Sequence, residues 1–132
     1  MSRLSGSGAS GGSDDPRREA LREFGKMFRR AVTDALQAAG VEGGGFAAFS
    51  EMVNRGLFGM TASGLRAQFG VPKSGLVRDY LPPLWLSALT MVEVGVTEGI
   101  AREKAQGTAQ CLAITKRVIV AVQPTLRQLR AG

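Results

Sequence analysis

Apolar residues recur at spacings of three and four along three long stretches of the chain, residues 16–39, 83–104 and 109–129. This spacing places the apolar side chains on one stripe of an α-helix. Pro16 and Pro83 suit the first turn of a helix, because the amide at that position has no partner within the helix anyway. The pattern therefore predicts three long amphipathic helices.

Shorter helices, separated by glycine, are predicted between the first two long ones. Residues 46–54 carry apolar side chains at helical spacing, and we expect this helix to end at Gly56. Thr61 is a good N-cap for a second short helix, which we expect to end at Gly70. Together these segments predict an all-α fold, a small bundle of about four to six helices in which the two long C-terminal helices pack antiparallel.

Composition divides the chain into three parts. Residues 1–15 are rich in Ser and Gly and cannot bury enough apolar surface to offset the entropy of ordering, so we expect a flexible tail. Residues 16–40 are predicted to form a basic amphipathic helical arm. The glycine-rich segment GVEGGG separates this arm from a helical domain of residues 46–130, and we expect the arm to move independently.

The second long helix carries two glycines and two acidic residues within an apolar run. Gly95 and Gly99 lie four residues apart, a spacing that lets another helix approach closely. Nothing in the sequence pairs Glu93 and Glu98 across a catalytic gap, so we interpret them as surface or interhelical salt-bridge residues. Each would cost several kcal/mol inside a bilayer. We therefore expect a buried helix and no contact with a membrane.

The last long helix has a continuous apolar seam. Its members are Leu112, Ile119, Val122, Leu126 and Leu129. Such a seam packs against a neighbouring helix or against a second subunit. Because a chain this small has few internal surfaces to cover, we expect a homodimer.

The net charge is +6, from 17 Lys and Arg residues against 11 Asp and Glu residues, which points to an anionic partner and to nucleic acid first. Candidate phosphate-binding residues come from the first helix, the loop before residue 80 and the last helix. They are Arg17, Arg18, Arg22, Lys26, Arg29, Arg30, Lys73, Arg78, Lys116, Arg117, Arg127 and Arg130.

Two interpretations of these basic residues remain open. Cationic side chains at helical spacing can follow a sugar-phosphate backbone and release its counterions. Glu19, Glu23 and Asp34, however, lie three or four residues from basic neighbours on the first helix, so that surface can also be a solvated face with salt bridges. The solvated face is favoured on the first helix, and neither interpretation is favoured on the last.

Catalytic and metal-binding chemistry has little support. The sequence has no His, which excludes a His-based triad and a His-ligated metal, and its one Cys cannot supply a thiolate cluster. Cys111 is predicted to be a small core residue. We expect no enzyme activity, no cofactor and no metal. One Cys forms no internal disulfide, and the first residues lack the apolar segment of a signal peptide, so we expect a cytoplasmic protein.

Several short motifs in order carry a family resemblance. They are Gly56-Leu57-Phe58-Gly59-Met60-Thr61, Leu65, Gly70, Arg78-Asp79, the helix from Leu89 to Glu98 with Ile100, and Gln106-Gly107 with Cys111. Over roughly residues 46–123 the chain resembles the C-terminal region of the DNA-damage-inducible protein D family. Related segments occur in phage and plasmid proteins with a BRO-type N-terminal domain. The resemblance implies a bacterial or phage protein tied to the DNA damage response, mobile elements or recombination.

Two hypotheses follow. The first is a non-enzymatic DNA-associated accessory protein that binds nucleic acid through phosphate contacts. The second is a helical protein-interaction module, a homodimer or an inhibitor of a host DNA-processing protein. The family usually has an N-terminal DNA-binding domain, whereas we expect a single basic helix ahead of residue 46, and this expected departure favours protein contact.

Overall fold

The computed structural model describes residues 16–131, which fold into five α-helices with no strand among them. The predicted all-α bundle is confirmed. A π-helical turn, Asn54–Phe58, and a 3₁₀ turn, Val77–Tyr80, complete the described elements. The α-helices are α1 (Pro16–Ala38), α2 (Gly44–Val53), α3 (Ala62–Phe69), α4 (Pro83–Glu103) and α5 (Gly107–Ala131). Residues 1–15, for which we predict a flexible tail, lie outside the described part of the chain.

α4 is the central helix, and α5 packs against it in the opposite direction. A Cβ atom placed on Gly95 would lie 2.8 Å from Cγ1 of Val118, and one placed on Gly99 would lie 2.7 Å from Cγ2 of Ile114. The contacts move forward from Gly95 to Gly99 on α4 and backward from Val118 to Ile114 on α5, so the two helices are antiparallel, as predicted. Because Cβ atoms do not come this close to other atoms, the distance between the helices requires glycine at both positions. The predicted role of the glycine pair is confirmed.

α1 runs beside α4 in the same direction. Gly25 of α1 faces Leu86 and Thr90, which lie in the first turns of α4. At the other end, the amide of Gly107, the first residue of α5, donates a hydrogen bond of 2.6 Å to the carbonyl of Ala39, so the end of α1 meets the turn that follows α4.

This packing corrects the expectation that residues 16–40 form an independent arm. Val32 and Leu36 of α1 are fully buried and belong to the same apolar core as α4. Burial stabilises each such side chain by roughly 1.5–3 kcal/mol. The apolar stripe of α1 finds its partner within the chain, so α1 is part of the bundle.

α2 and the π-helical turn lie along α5 and run in its direction. A Cβ atom on Gly45 would lie 2.8 Å from Oγ1 of Thr108, and one on Gly56 would lie 2.9 Å from Cγ2 of Ile119. The prediction that Gly56 ends the helix is wrong. Glycine is needed there for the contact with Ile119, and the helical segment ends at Gly59, which has a φ of 73°.

α3 begins and ends as predicted, and its last residue joins an aromatic cluster. Oγ1 of Thr61 accepts a hydrogen bond of 3.0 Å from the amide of Gly64, and Gly70 ends the helix with a φ of 62°. The ring centroids of Phe58 and Phe69 each lie 5.0 Å from that of Trp85. The cluster therefore joins the π-helical turn, α3 and α4 at one end of the bundle.

The apolar seam of α5 packs mainly against other helices of the same chain. Ile119 and Leu126 are buried, Leu112 and Val122 are partly buried, and only Leu129 is largely exposed, at 57%. This corrects the interpretation of the seam as an oligomer surface. α4 on one side, with α2 and the π-helical turn on the other, supplies the internal surface that the length of α5 requires.

α4 is long and apolar enough to cross a membrane by length and composition alone, and it is the one such helix among residues 16–131. In the fold it lies between α1 and α5, with Val92, Glu93 and Val96 buried. The core helix of a globular bundle passes the same test of length and composition.

Candidate nucleic-acid interface

A groove of about 660 Å³ separates α1 from α2. We call it the α1–α2 groove. α1 forms one wall, α2 and the π-helical turn form the other, and α4 with residues 76–81 forms the floor. The groove exists because α1 packs on α4 whereas α2 packs on α5, so the two flanking helices make few contacts with each other.

Three of the predicted phosphate-binding residues form the α1 rim of this groove. Lys26, Arg29 and Arg30 all line it and are all exposed. Their positions on α1 put them on one side of the helix. Among the described residues, neither Arg29 nor Arg30 forms an ion pair, whereas Nζ of Lys26 lies 3.3 Å from Oε2 of Glu23. An exposed pair of this kind is worth little and opens readily.

The other basic residues of α1 lie closer to its N-terminus and do not line the groove. Nη2 of Arg18 donates a hydrogen bond of 3.0 Å to the carbonyl of Asp79. Arg22 pairs with Glu19 at 2.6 Å, and this hydrogen bond raises the pKa of Arg22. Arg17 is exposed in the first turn. The predicted basic strip along α1 thus has two parts. Lys26, Arg29 and Arg30 line the groove, whereas Arg18 and Arg22 are bonded to Asp79 and Glu19.

Arg78 is not available to a phosphate, which corrects its assignment as a nucleic-acid contact. Only 9% of it is exposed. Its Nη2 lies 2.6 Å from Oε2 of Glu93, and its Nη1 donates a hydrogen bond of 3.0 Å to the carbonyl of Gly25. A Cβ atom on Gly25 would lie 3.2 Å from the same Nη1, so the bare backbone of α1 makes room for the guanidinium. Arg78 therefore ties the 3₁₀ turn to α1 and α4.

Glu93 forms part of the groove floor, and only 1% of it is exposed, so it is not a surface residue. Burial raises the pKa of its carboxyl, against the opposing effects of the charge and hydrogen bond of Arg78 and the charge of Arg29. Its Oε1 has no hydrogen-bond partner among the described residues. Glu98, one helical turn and a half further on, is exposed.

The loop before the 3₁₀ turn is held in place from within α3. Nη2 of Arg66 donates to the carbonyls of Pro72, Lys73 and Gly75 at 2.9 to 3.0 Å. Lys73 is exposed but lies outside the groove, whereas Leu76, which is 61% exposed, lines it. The structure does not bring Lys73 to the rim formed by α1.

The predicted basic residues of α5 are not gathered at one site. Arg117 pairs with Glu103, and the guanidinium of Arg130 lies over the ring of Trp85 at 4.5 Å from its centroid. Lys116 and Arg127 are exposed, and neither has an ion pair among the described residues. They lie eleven residues apart, which is about 16 Å along a helix.

A second groove, of about 750 Å³, lies between α2 and α5, and we call it the α2–α5 groove. Met52, Ile119 and Pro124 line it together with Val120, which is 64% exposed. Lys116 contributes the basic side chain of its α5 wall. This groove is mainly apolar, in contrast to the cationic rim of the α1–α2 groove.

In residues 16–131 no group of three or more His, Cys, Asp or Glu side chains is placed to hold a metal ion. Cys111 is buried in the core, as predicted, and burial raises the pKa of its thiol.

Three polar residues of the groove were missed by the sequence analysis. Thr33 lies on the α1 wall, and Ser50 and Asn54 lie on the opposite wall. The available signal was the spacing of Ser50 and Asn54, which are four residues apart and therefore share one face of the helix.

Comparison with known proteins places this structure in a family. No curated protein matches the chain. The family model described as the DinD C-terminal domain matches residues 13–132, and the match covers all five α-helices. The resemblance to the DNA-damage-inducible protein D family is confirmed. The match also includes α1, which precedes residues 46–123, where the sequence motifs indicated the family. The chain therefore belongs to the DinD C-terminal domain family.

Proposed function

We propose that this protein is a non-enzymatic, DNA-associated accessory protein of a bacterial DNA-damage or mobile-element system. In this proposal it acts in the cytoplasm and binds the sugar-phosphate backbone at the rim of the α1–α2 groove. The observation that supports it best is the pair Arg29 and Arg30, which are exposed beside Lys26 and have no ion pair among the described residues. Membership of a DNA-damage-related family makes DNA the anion to test first.

Binding of this kind depends on charge and carries no sequence information. Phosphates are neutralised by the cations at the rim, and counterions are released from the nucleic acid. If Lys26, Arg29 and Arg30 each meet one phosphate, the logarithm of the association constant falls with the logarithm of salt concentration at a slope of about −2 to −3. Affinity falls steeply with salt and changes little with sequence.

The test compares two double variants with the same change in net charge. Arg29→Glu with Arg30→Glu removes the unpaired charges of the rim, and we expect roughly tenfold or more weaker binding and a flatter salt slope. Lys116→Glu with Arg127→Glu makes the same change on α5 and is the matched control. Fluorescence anisotropy with a labelled oligonucleotide, repeated over a salt series, measures both quantities.

The two variants separate local contact from general attraction. A loss of similar size in both would show that only net charge matters, and an unchanged affinity in the α1 variant would rule out the rim. An oligonucleotide that does not bind the unmodified protein at low salt would remove the proposed function altogether.

A protein-interaction module is the second candidate function, and the α2–α5 groove is the observation that favours it. Val120 is exposed beside the apolar side chains of Met52 and Pro124, and Lys116 adds a positive charge at their side. An apolar segment of a second copy or of a DNA-processing protein would cover this surface. Val120→Asp should then halve the mass measured by sedimentation, while an unchanged mass would exclude a dimer through this groove. Ile119→Asp is unsuitable, because Ile119 is buried.

A further inference from the structure

We propose that the α1–α2 groove receives an unpaired nucleobase, so that the protein prefers single-stranded to double-stranded nucleic acid. The inference rests on the proposed function and adds the class of ligand. The rim would hold the phosphate, and the interior of the groove would hold the base of the same or the next nucleotide.

The lining of the groove changes with depth: the rim is charged, with the carboxylate of Asp34 among its exposed cations, and the deeper part is mostly apolar around the buried pair of Arg78 and Glu93. Arg29 and Arg30 are exposed at the rim, whereas Leu81 is buried and Leu89 half-buried on the floor. Leu76 adds an apolar side chain that is exposed in the described structure. A nucleotide has the same division, because its phosphate is anionic and its base presents an apolar ring face.

Hydrogen-bonding groups within the groove distinguish a base from a hydrocarbon chain. Thr33, Ser50 and Asn54 line the walls, and the floor includes Glu93, a buried carboxylate whose Oε1 has no described partner. The hydroxyl of Thr33 already donates a hydrogen bond of 2.9 Å to the carbonyl of Arg29, but a hydrocarbon chain would leave Ser50, Asn54 and Oε1 of Glu93 without partners, which is costly. Every nucleobase carries N–H donors or carbonyl acceptors on its edge, so a base can satisfy some of them.

The size of the groove fits one unpaired nucleotide. Its 660 Å³ lies within the range of about 300 to 1,000 Å³ that is usual for small-ligand sites. In a duplex the bases are stacked and paired, and taking one out costs several kcal/mol before it can enter a pocket. A single strand does not need to break base pairs, and it can place a base in the groove while its backbone follows the rim.

The experiment removes the bases and keeps the phosphates. A mixed-sequence single strand of about twelve nucleotides is compared with an abasic strand of the same length, which carries tetrahydrofuran in place of each nucleoside sugar and base, and with the duplex. We expect the natural strand to bind roughly tenfold tighter than the abasic strand, with the same salt slope, because base contacts add affinity without releasing counterions. The duplex should also bind more weakly than the natural strand.

A variant within the groove tests the location. Leu76→Ala removes an exposed apolar side chain of the groove, and it should reduce the difference between the natural and abasic strands while the salt slope stays unchanged. Leu129→Ala is the matched control, since Leu129 is similarly exposed but lies on α5 outside the groove. It should leave the difference as it is.

The possible failures are distinguishable. Equal affinity for the natural and abasic strands would overturn base insertion and leave backbone binding intact. No binding to either strand at low salt would overturn the proposed function. An acidic peptide of alternating Glu and Leu that binds with an affinity sensitive to Leu76→Ala, without competition from the single strand, would show that the groove takes a protein segment and would overturn the inference.

Discussion

α4 meets its two long neighbours in different ways. On the α5 side, Gly95 and Gly99 let Val118 and Ile114 approach the backbone of α4 directly. On the α1 side, the buried guanidinium of Arg78 pairs with the carboxylate of Glu93 on α4 and donates a hydrogen bond to the carbonyl of Gly25 on α1. The first contact depends on close apolar packing alone, whereas the second adds hydrogen bonds and charge to the apolar packing of Val32 and Leu36.

The difference explains where a ligand site can form. At the α5 contact the helices are too close for anything to enter. At the α1 contact the pair of Arg78 and Glu93 lies beneath the α1–α2 groove, and Oε1 of Glu93 keeps an unused acceptor there. A buried ion pair contributes little net stability compared with apolar packing, because both charges lose their hydration. The bundle is thus held mainly by its apolar contacts, and the polar contact shapes the groove.

The largest effect is expected from breaking the polar contact. Glu93→Ala would leave the buried charge of Arg78 without a partner, and such a change costs about 3–5 kcal/mol in the free energy of unfolding. Urea denaturation measures it. Glu103→Ala is the control, because it removes an exposed pair with Arg117 and should cost at most about 1 kcal/mol.

Apolar replacement of both partners sharpens this prediction. Arg78→Met combined with Glu93→Leu should recover most of the lost stability, since no unpaired charge remains. A double variant as unstable as Glu93→Ala alone would contradict the view that an unpaired buried charge causes the loss of stability.

A somewhat smaller effect is expected from adding a side chain at the close contact between α4 and α5. Gly95→Leu would force α5 away from α4, because a Cβ atom at that position already comes within 2.8 Å of Val118. Overpacking of this kind costs about 1–3 kcal/mol. Gly64→Ala is the control, because its Cβ atom would make only ordinary contacts on α3 and alanine favours helix by up to about 1 kcal/mol. Equal destabilisation of both variants would contradict the account of the α4–α5 contact.

The smallest effect on stability is expected at the rim of the groove. Arg29→Glu with Arg30→Glu should change the free energy of unfolding by only about 0.5 kcal/mol, because both side chains are exposed and neither has an ion pair among the described residues. The same variant should lose most of its nucleic-acid binding. A large loss of stability would show that these residues hold α1 in place.

Local signals allowed much of the fold to be predicted from sequence. The apolar stripes located the long helices, and the cap at Thr61 and the stop at Gly70 depend only on residues nearby in the chain. The error at Gly56 has the opposite origin. Glycine is a signal for the end of a helix, but this one is required by Ile119, which lies more than sixty residues away and gives no local sign of the contact.

The candidate site was harder to predict because it depends on contacts between distant segments. Lys26, Arg29 and Arg30 were identified from charge and spacing, yet nothing in the sequence separated them from Arg78, whose partners lie 15 and 53 residues away. The groove itself arises from α1 and α2 packing on different helices. Helical periodicity shows that each helix has an apolar face, but not which neighbour covers it.

The most direct test of the account is the salt dependence of single-strand binding, measured on the unmodified protein and on the Arg29→Glu, Arg30→Glu variant. We expect the logarithm of the association constant to fall with a slope of about −2 for the unmodified protein, since a single strand releases fewer counterions per contact than a duplex, and a slope of about −0.7 or flatter for the variant, in which Lys26 is the one rim cation of the three that remains. The same slope in both proteins would contradict the claim that the rim of the α1–α2 groove binds the nucleic-acid backbone.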